Sequence, residues 1–259
     1  MKVVILAGGL GTRLSEETEF RPKPMVEIGG FPILWHIMKV YSFYGYNDFI
    51  ICLGYRGYII KEYFANYFMH MADVTFNLQT NEIEVHEKKA EPWRVTVIDT
   101  GRDTMTGGRI KQIKKYVGDE TFMVTYGDGI GDVAIDKLVD FHSRHGRIGT
   151  MTVVQPSGRF GSLEIDDNDH VKNFREKPRD DGAWINGGFF VFTPDIFEYI
   201  EGDKTVFENE PLINLSYDDE LIAYRHTGFW KAMDTLREKK ELETMWTSGR
   251  APWRIWSST

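Results

Sequence analysis

The sequence predicts an α/β protein, a three-layer, Rossmann-like mixed sheet with a β-rich second half. Three observations carry this. Two short apolar runs, at 3–7 and 49–53, each stop at a glycine. Helix-period apolar patterns alternate with them, so residues 1–68 read strand, loop, helix, strand, helix. Beyond residue 148, β-type segments joined by Gly, Pro and Asp turns predominate. Strands that are apolar at every position, rather than at alternate ones, are those buried on both faces of a parallel sheet.

The elements follow in order. The run at 3–7 is β-branched and compact. Pro32 opens a helix through Ile33, Leu34, Ile37, Met38 and Tyr41 that ends near Gly45, proline at the first turn and glycine past the last. A helix is expected over 59–68. "VTFNLQTNEIEVHEKK", from Val74, alternates apolar and polar around Thr80 and Asn81, which predicts a projecting hairpin. "RVTVIDT" follows as a strand, "GGRIKQIKKYV" as a helix starting near Gly108, and residues 121–126 as a strand ending in Gly-Asp-Gly. A helix over 135–145 and a strand over 148–154 come next. "SLEIDD", "VKNFREKP" and "AWINGGFFVFTP" are strands, residues 195–200 and 211–217 short helices, and 221–226 a strand. The last helix runs from about 236 to 246 behind Thr235-x-x-Glu238, a capping box. No repeat or linker interrupts the chain, so one domain is expected over 1–259, changing texture near residue 130.

Of the 259 residues, 42% are hydrophobic and 27% charged, as in ordinary globular proteins. The net charge of −8 argues against nucleic acid as a partner. It leaves room for anions wherever positive charge is local. The single cysteine, Cys52, lies inside "FIICLG" and reads as a small buried hydrophobe, in keeping with a reducing compartment. The apolar run after Lys2 is too short for the core of a secretory leader, and no stretch approaches the ~18 apolar residues of a membrane span. The expected location is the cytoplasm, with no membrane partner. His142 and His145 are read as surface or half-buried, without a third metal ligand. Trp253 and Trp256 are expected to pack on the body or on a neighbouring subunit.

The segment "LAGGLGTRLSEETEFRPKPM", residues 6–25, places glycines, Arg13 and Lys23 directly after the first strand. Ligands of α/β proteins bind outside the carboxyl ends of the strands, where glycines let backbone N–H groups reach phosphate oxygens. Arg13 offers a planar fork of donors and Lys23 a point charge between Pro22 and Pro24. The Gly-Lys-Ser/Thr of a P-loop is absent, and Gly9-x-Gly11 lacks the third glycine of the dinucleotide fingerprint. Asp128, between Gly127 and Gly129 at a strand end, is either a turn residue or a carboxylate placed to hold Mg²⁺ on a phosphate. Asp234 is by itself a helix-start residue. Glu176 and Lys177 read as solvated surface and Asn186-Gly187 as a turn, while Asp167-x-Asp169 lies in a polar turn.

Together, Gly9-x-Gly11-Thr12-Arg13, Lys23-Pro24, "TYGDG" at 125–129, "EKP" at 176–178, "NGGFFVF" at 186–192 and "GFWKAMDT" at 228–235 resemble the sugar nucleotidylyltransferases over nearly the whole chain. These enzymes join a nucleoside triphosphate to a sugar 1-phosphate and release pyrophosphate. "EPW" at 91–93, "DTGRDTMTGGR" at 99–109 and "GFWKAMDTLRE" at 228–238 resemble the members that use CTP and glucose 1-phosphate. The resemblance implies the nucleotide-diphospho-sugar transferase fold, with nucleotide binding in residues 1–130 and sugar binding in 131–259. It implies that Leu6, Ala7, Gly8, Gly9, Gly11, Thr12, Arg13, Lys23, Thr104, Arg109 and Asp128 bind the nucleotide, with Arg13, Lys23 and Asp128 catalytic. Glu176, Lys177, Asn186 and Gly187 would bind the sugar phosphate, and Asp128 and Asp234 would hold Mg²⁺. A homo-oligomer is implied too. The rival readings are the same chemistry with dTTP or UTP, a nucleotide-sugar-binding regulatory subunit without catalysis, and a glycosyltransferase, whose Asp-x-Asp metal motif could only be Asp167-x-Asp169.

Overall fold

The computed structural model describes residues 1–9, 14–86, 90–156, 162–165, 171–175 and 183–256. In chain order the first half carries β1 (Val3–Ala7), α1 (Ser15–Thr18), a 3-10 turn (Lys23–Met25), β2 (Glu27–Ile28), β3 (Phe31–Pro32), α2 (Ile33–Phe43), β4 (Asp48–Leu53), α3 (Gly57–Ala65), α4 (Tyr67–His70), β5 (Val74–Asn77), β6 (Glu82–Val85), β7 (Arg94–Asp99), α5 (Thr106–Gln112), α6 (Lys114–Val117), β8 (Phe122–Tyr126) and β9 (Gly129–Gly131). The second half carries α7 (Ile135–His145), β10 (Gly149–Val154), β11 (Ser162–Ile165), β12 (Val171–Arg175), β13 (Ile185–Phe192), a 3-10 segment (Pro194–Tyr199), α8 (Glu210–Tyr217), β14 (Leu221–His226), β15 (Trp230–Ala232) and α9 (Leu236–Thr247).

Seven strands form one sheet in the order β14-β10-β13-β8-β1-β4-β7, drawing on both halves of the chain. β7, β4, β1 and β8 run parallel to one another, and β10 runs parallel to β14. β13 is antiparallel to both its neighbours, so its first residues lie at the edge where β8 and β10 end. Side chains alternate across a strand. Val3, Ile5 and Ala7 therefore join a core with Ile33, Leu34, Ile37 and Met38 of α2, Ile60 of α3, Leu138 of α7 and Leu242 of α9. Val4 and Leu6 face the opposite core, with Ile110 of α5, Phe197 and Leu215 of α8. These are the three layers, and each fully buried side chain of this kind contributes about 1.5–3 kcal/mol.

Several expectations need correction. The helix expected over 59–68 is split into α3 and α4, because Asn66 turns its side-chain Nδ2 onto the Glu62 carbonyl and competes with the helical ladder. The helix expected near Gly108 starts at Thr106 and breaks at Ile113. β2, β3, β9 and β15 were not anticipated. Each is two or three residues long, too short for any periodicity to show. His142 is 5% exposed rather than at the surface, and both it and His145 contact the Thr150 hydroxyl. Cys52 is fully buried, and burial pushes its thiol up to about 12. The hairpin β5–β6 forms a separate two-stranded sheet and exposes Phe76, Leu78 and Ile83. No described helix is long and apolar enough to cross a membrane.

The tail after α9 returns to the body. Trp253 is fully buried and stacks on Phe229, with ring centroids 5.5 Å apart, while Trp256 meets Trp35 edge-on at 5.8 Å. At the centre of this cluster His36 is fully buried. Its Nε2 lies 2.8 Å from the Ile28 carbonyl, which can only accept, so Nε2 carries the proton and Nδ1 accepts from Trp253 Nε1 at 3.4 Å. Burial, outweighing the carbonyl contacts, pushes this imidazole down from 6.5 to about 4. The unfolded chain thus binds a proton that the folded chain refuses between these two values. Stability is full above pH 6.5 and falls as the pH drops toward 4, by up to ~3 kcal/mol from His36 alone. Urea unfolding midpoints across that window should show the decline, and His36→Gln, which takes up no proton, should lessen it, with buried His142 supplying a remaining part; an equally steep decline in the variant would refute the assignment.

Candidate active site

The crevice lies beyond the carboxyl ends of β1, β4, β7 and β8. β1 runs through Leu6 and Ala7 into Gly8 and Gly9, while Gly11, Thr12 and Arg13 lie outside the described residues. The Gly8 carbonyl is held from below by Arg109 Nη2 at 3.1 Å. Arg109 is only 4% exposed, and its guanidinium also donates to the carbonyls of Leu53, Gly101 and Arg102 and to Thr100 Oγ1. A Cβ at residue 8 would come within 2.2 Å of the Arg109 guanidinium, so only glycine fits there. Arg109 thus meets the crevice through the backbone it supports. Thr104 sits half-buried in the turn between β7 and α5.

Lys23 opens the 3-10 turn between Pro22 and Pro24. Gly127 packs against Pro24 so closely that a Cβ would lie 2.9 Å from the proline Cγ, and its N–H donates to the Leu6 carbonyl at 3.0 Å. This contact brings the end of β8 against the turn. Asp128 follows, and β9 then pairs with β15, Gly129 opposite Ala232. That short ladder, with Met233 N–H donating to the Asp128 carbonyl at 2.9 Å, carries Asp234 to Asp128. Asp234 is fixed from the other side by the start of α9, where Glu238 accepts from the N–H groups of Asp234 and Thr235 and the Thr235 hydroxyl closes the capping box.

Lys23 Nζ donates to Asp128 Oδ2 at 2.7 Å and to Asp234 Oδ1 at 2.5 Å. The lysine side chain is 11% exposed and the carboxylates 33% and 21%, so the ammonium is covered while the acids open toward the crevice. Burial alone would push the ammonium down, but Asp128 and Asp234 outweigh it and hold the pKa above its ordinary value. The Lys23 charge leaves the trio one negative charge in excess.

On the other side of β8, Asn186 and Gly187 stand at the start of β13. Trp230 of β15 donates through Nε1 to the Gly187 carbonyl at 2.7 Å, tying this strand to the one that leads to Asp234. Asn186 accepts from Gly188 N–H at 2.8 Å and donates to the Tyr126 hydroxyl at 3.2 Å. Glu176 and Lys177 lie outside the described residues, as do Asp167 and Asp169. Of the residues singled out in the sequence, the structure thus brings Lys23, Asp128 and Asp234 into contact, and sets Leu6, Ala7, Gly8, Gly9, Thr104, Asn186 and Gly187 along one crevice. Glu208, joined to Asn186 through Tyr126 of the Thr-Tyr-Gly-Asp-Gly segment, gave no sequence signal.

Among the described residues no group of three or more His, Cys, Asp or Glu side chains is arranged to hold a metal ion. Two carboxylates that already share one cation do fit Mg²⁺, which takes few protein ligands and completes its shell with water and substrate phosphates.

A family model described as nucleotidyl transferase matches residues 2–230. The chain is 59% identical over 257 residues to a glucose-1-phosphate cytidylyltransferase of Salmonella typhi, covering 99% of this chain and 100% of the relative. It is 48% identical over 257 residues, again 99% and 100% of the two chains, to a protein of Bacillus subtilis (strain 168) described as a probable glucose-1-phosphate cytidylyltransferase. Among solved structures, a putative glucose-1-phosphate thymidylyltransferase from Bacillus anthracis superposes with a TM-score of 0.71 over 100% of this chain and 98% of that one, at 17% identity, a likeness of fold.

Without the ammonium, the Asp128 and Asp234 carboxylates would face each other unscreened, with a repulsion that added salt weakens. Lys23→Met should therefore be less stable than the parent by about 2 kcal/mol in dilute buffer, and by less in ~1 M salt. Urea unfolding at the two salt concentrations checks this; a deficit that does not change with salt would refute it.

Proposed function

The chain belongs to the nucleotidyl transferase family, and from that premise we propose that it transfers the cytidylyl group of CTP to α-D-glucose 1-phosphate, giving CDP-glucose and pyrophosphate. The relatives of 59% and 48% identity carry the choice of substrates, since both match this chain over 99% of its length. The contact that carries the chemistry is the meeting of Lys23 with Asp128 and Asp234 at the carboxyl edge of the sheet.

The sugar phosphate is an anion at neutral pH and is itself the nucleophile, so no base has to be assigned. The site has instead to bring two polyanions into line at the α-phosphorus and offset their charge. In this reading Gly8, Gly9 and Gly11 present backbone N–H groups to the triphosphate, with Leu6, Ala7 and Thr12 shaping the same turn. Arg13 and Lys23 hold the departing pyrophosphate. Thr104 contacts the nucleotide, and Arg109 acts on it through the Gly8 backbone. Glu176, Asn186 and Gly187 take the sugar hydroxyls, and Lys177 the sugar phosphate. Asp128 and Asp234 are the residues that would hold Mg²⁺, which when bound supplies charge neutralisation at the reacting phosphates. The first half of the chain then serves the nucleotide and the second the sugar, in the cytoplasm where both substrates are made. The exposed Phe76, Leu78 and Ile83 of the β5–β6 hairpin are the surface through which copies of the chain associate.

Pyrophosphate release should be highest with CTP in a panel with UTP, dTTP, ATP and GTP, should stop on chelation with EDTA and should return with Mg²⁺. A preference for dTTP or UTP would replace CTP in this reading. Lys23→Ala should lower turnover by about 10²–10³ while the chain still folds, the loss of one preorganised charged donor; near-normal turnover would remove Lys23 from the reaction.

A further inference from the structure

Behind Asn186 lies a chain of polar side chains that the reaction as proposed does not use. Tyr126, the last residue of β8, directs its hydroxyl to Glu208 Oε1 at 2.6 Å. The carboxylate's other oxygen, Oε2, accepts from Thr106 Oγ1 at 2.6 Å. Thr106 Oγ1 accepts in turn from Phe207 N–H at 2.9 Å. Glu208 thus accepts from two hydroxyls, one at the end of a central strand and one at the first residue of α5.

This arrangement has a direction. An ionised carboxylate only accepts, so the phenolic proton must point at Glu208. The phenol oxygen is then left with lone pairs alone toward Asn186, and only the amide nitrogen can meet it, at 3.2 Å. On the opposite side, the Gly188 N–H can only donate, and it meets Asn186 Oδ1 at 2.8 Å. Both contacts select the same amide orientation; a flipped amide would set NH₂ against N–H and oxygen against lone pairs. One N–H and one oxygen lone pair of Asn186 are not used by these two bonds, a donor and an acceptor of the kind a sugar hydroxyl can meet. The ring of Tyr126 is held in place for this purpose. A Cβ at residue 188, where φ is +82°, would lie 2.6 Å from its Cδ2, so Gly188 gives the ring its seat. Phe190 supports it edge-on at 6.0 Å.

We propose that Glu208 is a positioning residue which, through the Tyr126 hydroxyl, fixes the Asn186 amide in the one orientation that receives the hexose of the sugar 1-phosphate. The proposal rests on the reading of Asn186 as a sugar contact. Its second anchor, Thr106, ties that orientation to the start of the helix that carries Arg109 and so to the floor of the glycine turn.

Steady-state kinetics of the full-length enzyme with Mg²⁺ test it, using CTP and glucose 1-phosphate as the varied substrates. Tyr126→Phe keeps the ring and its packing and removes only the hydroxyl. It should raise KM for glucose 1-phosphate by about 10-fold while kcat and KM for CTP stay within about 3-fold, the loss of one oriented hydrogen bond. Glu208→Gln can turn an NH₂ toward the phenol and should raise KM for glucose 1-phosphate by a similar factor. The double variant should be no worse than the worse single one, because both act through one amide. An unchanged KM for the sugar phosphate in Tyr126→Phe, equal rises for both substrates, or factors that multiply in the double variant would each overturn the proposal. If Glu208→Gln fails to fold, Tyr126→Phe decides alone. Asn186→Ala separates the two levels. A raised KM for the sugar phosphate there, with Tyr126→Phe unchanged, overturns this inference only; an unchanged KM in Asn186→Ala overturns the reading of Asn186 beneath it.

Discussion

One ammonium between two carboxylates organises this molecule. Lys23, Asp128 and Asp234 come from a proline-flanked turn, a strand end and a helix start, separated by 105 and 211 positions in sequence from the lysine. Bringing two acids within reach of one cation in a half-covered crevice is costly unless every approach is constrained. The constraints are visible: Gly127 against Pro24, the β9–β15 ladder, the capping box at Thr235 and the Trp253 stack behind Phe229. Each removes a way for a charge to move away, so the electrostatic arrangement is set by the backbone before any ligand arrives.

The sheet supplies the frame. Parallel strands place all their carboxyl ends on one edge, and in α/β sheets that edge is where loops are free to meet a ligand. Supports run beneath it. Arg109 uses its donors on four carbonyls and a hydroxyl, turning one buried charge into a brace for the glycine turn, the end of β4 and the turn after β7. A buried guanidinium is tolerable on these terms because its fork of donors meets acceptors at nearly every point.

Much of the frame was legible in the amino-acid order. The buried strands at 3–7 and 49–53, the helix at Ile135–His145, the strand at Leu221–His226 and the capping box all rest on local periodicity or local chemistry, and those are the properties a sequence displays directly. The strand-then-glycine pattern and the acid after β8 marked where the crevice would be. What local order does not encode is pairing between distant segments. β9 and β15 are three residues each and exist only because they meet each other. The burial of His142 depends on β10 passing beneath α7, and the direction of Arg109 depends on carbonyls from three separate turns. Glu208 was invisible for the same reason: its partner Tyr126 stands 82 positions away in sequence, and nothing around Glu208 distinguishes it from a solvated acid.

The reversal of β13 has a consequence of its own. Every other strand of the main sheet delivers its final residues to the crevice, whereas β13 delivers its first. At that edge Ile185 is exposed and Asn186 half-buried, and the strand's buried residues begin only at Gly187. Exchanging side chains at these first two positions leaves Phe189 to Phe192, and with them the sheet, untouched. A scaffold of this design can diversify at one end of its ligand while the apparatus at the other end stays fixed.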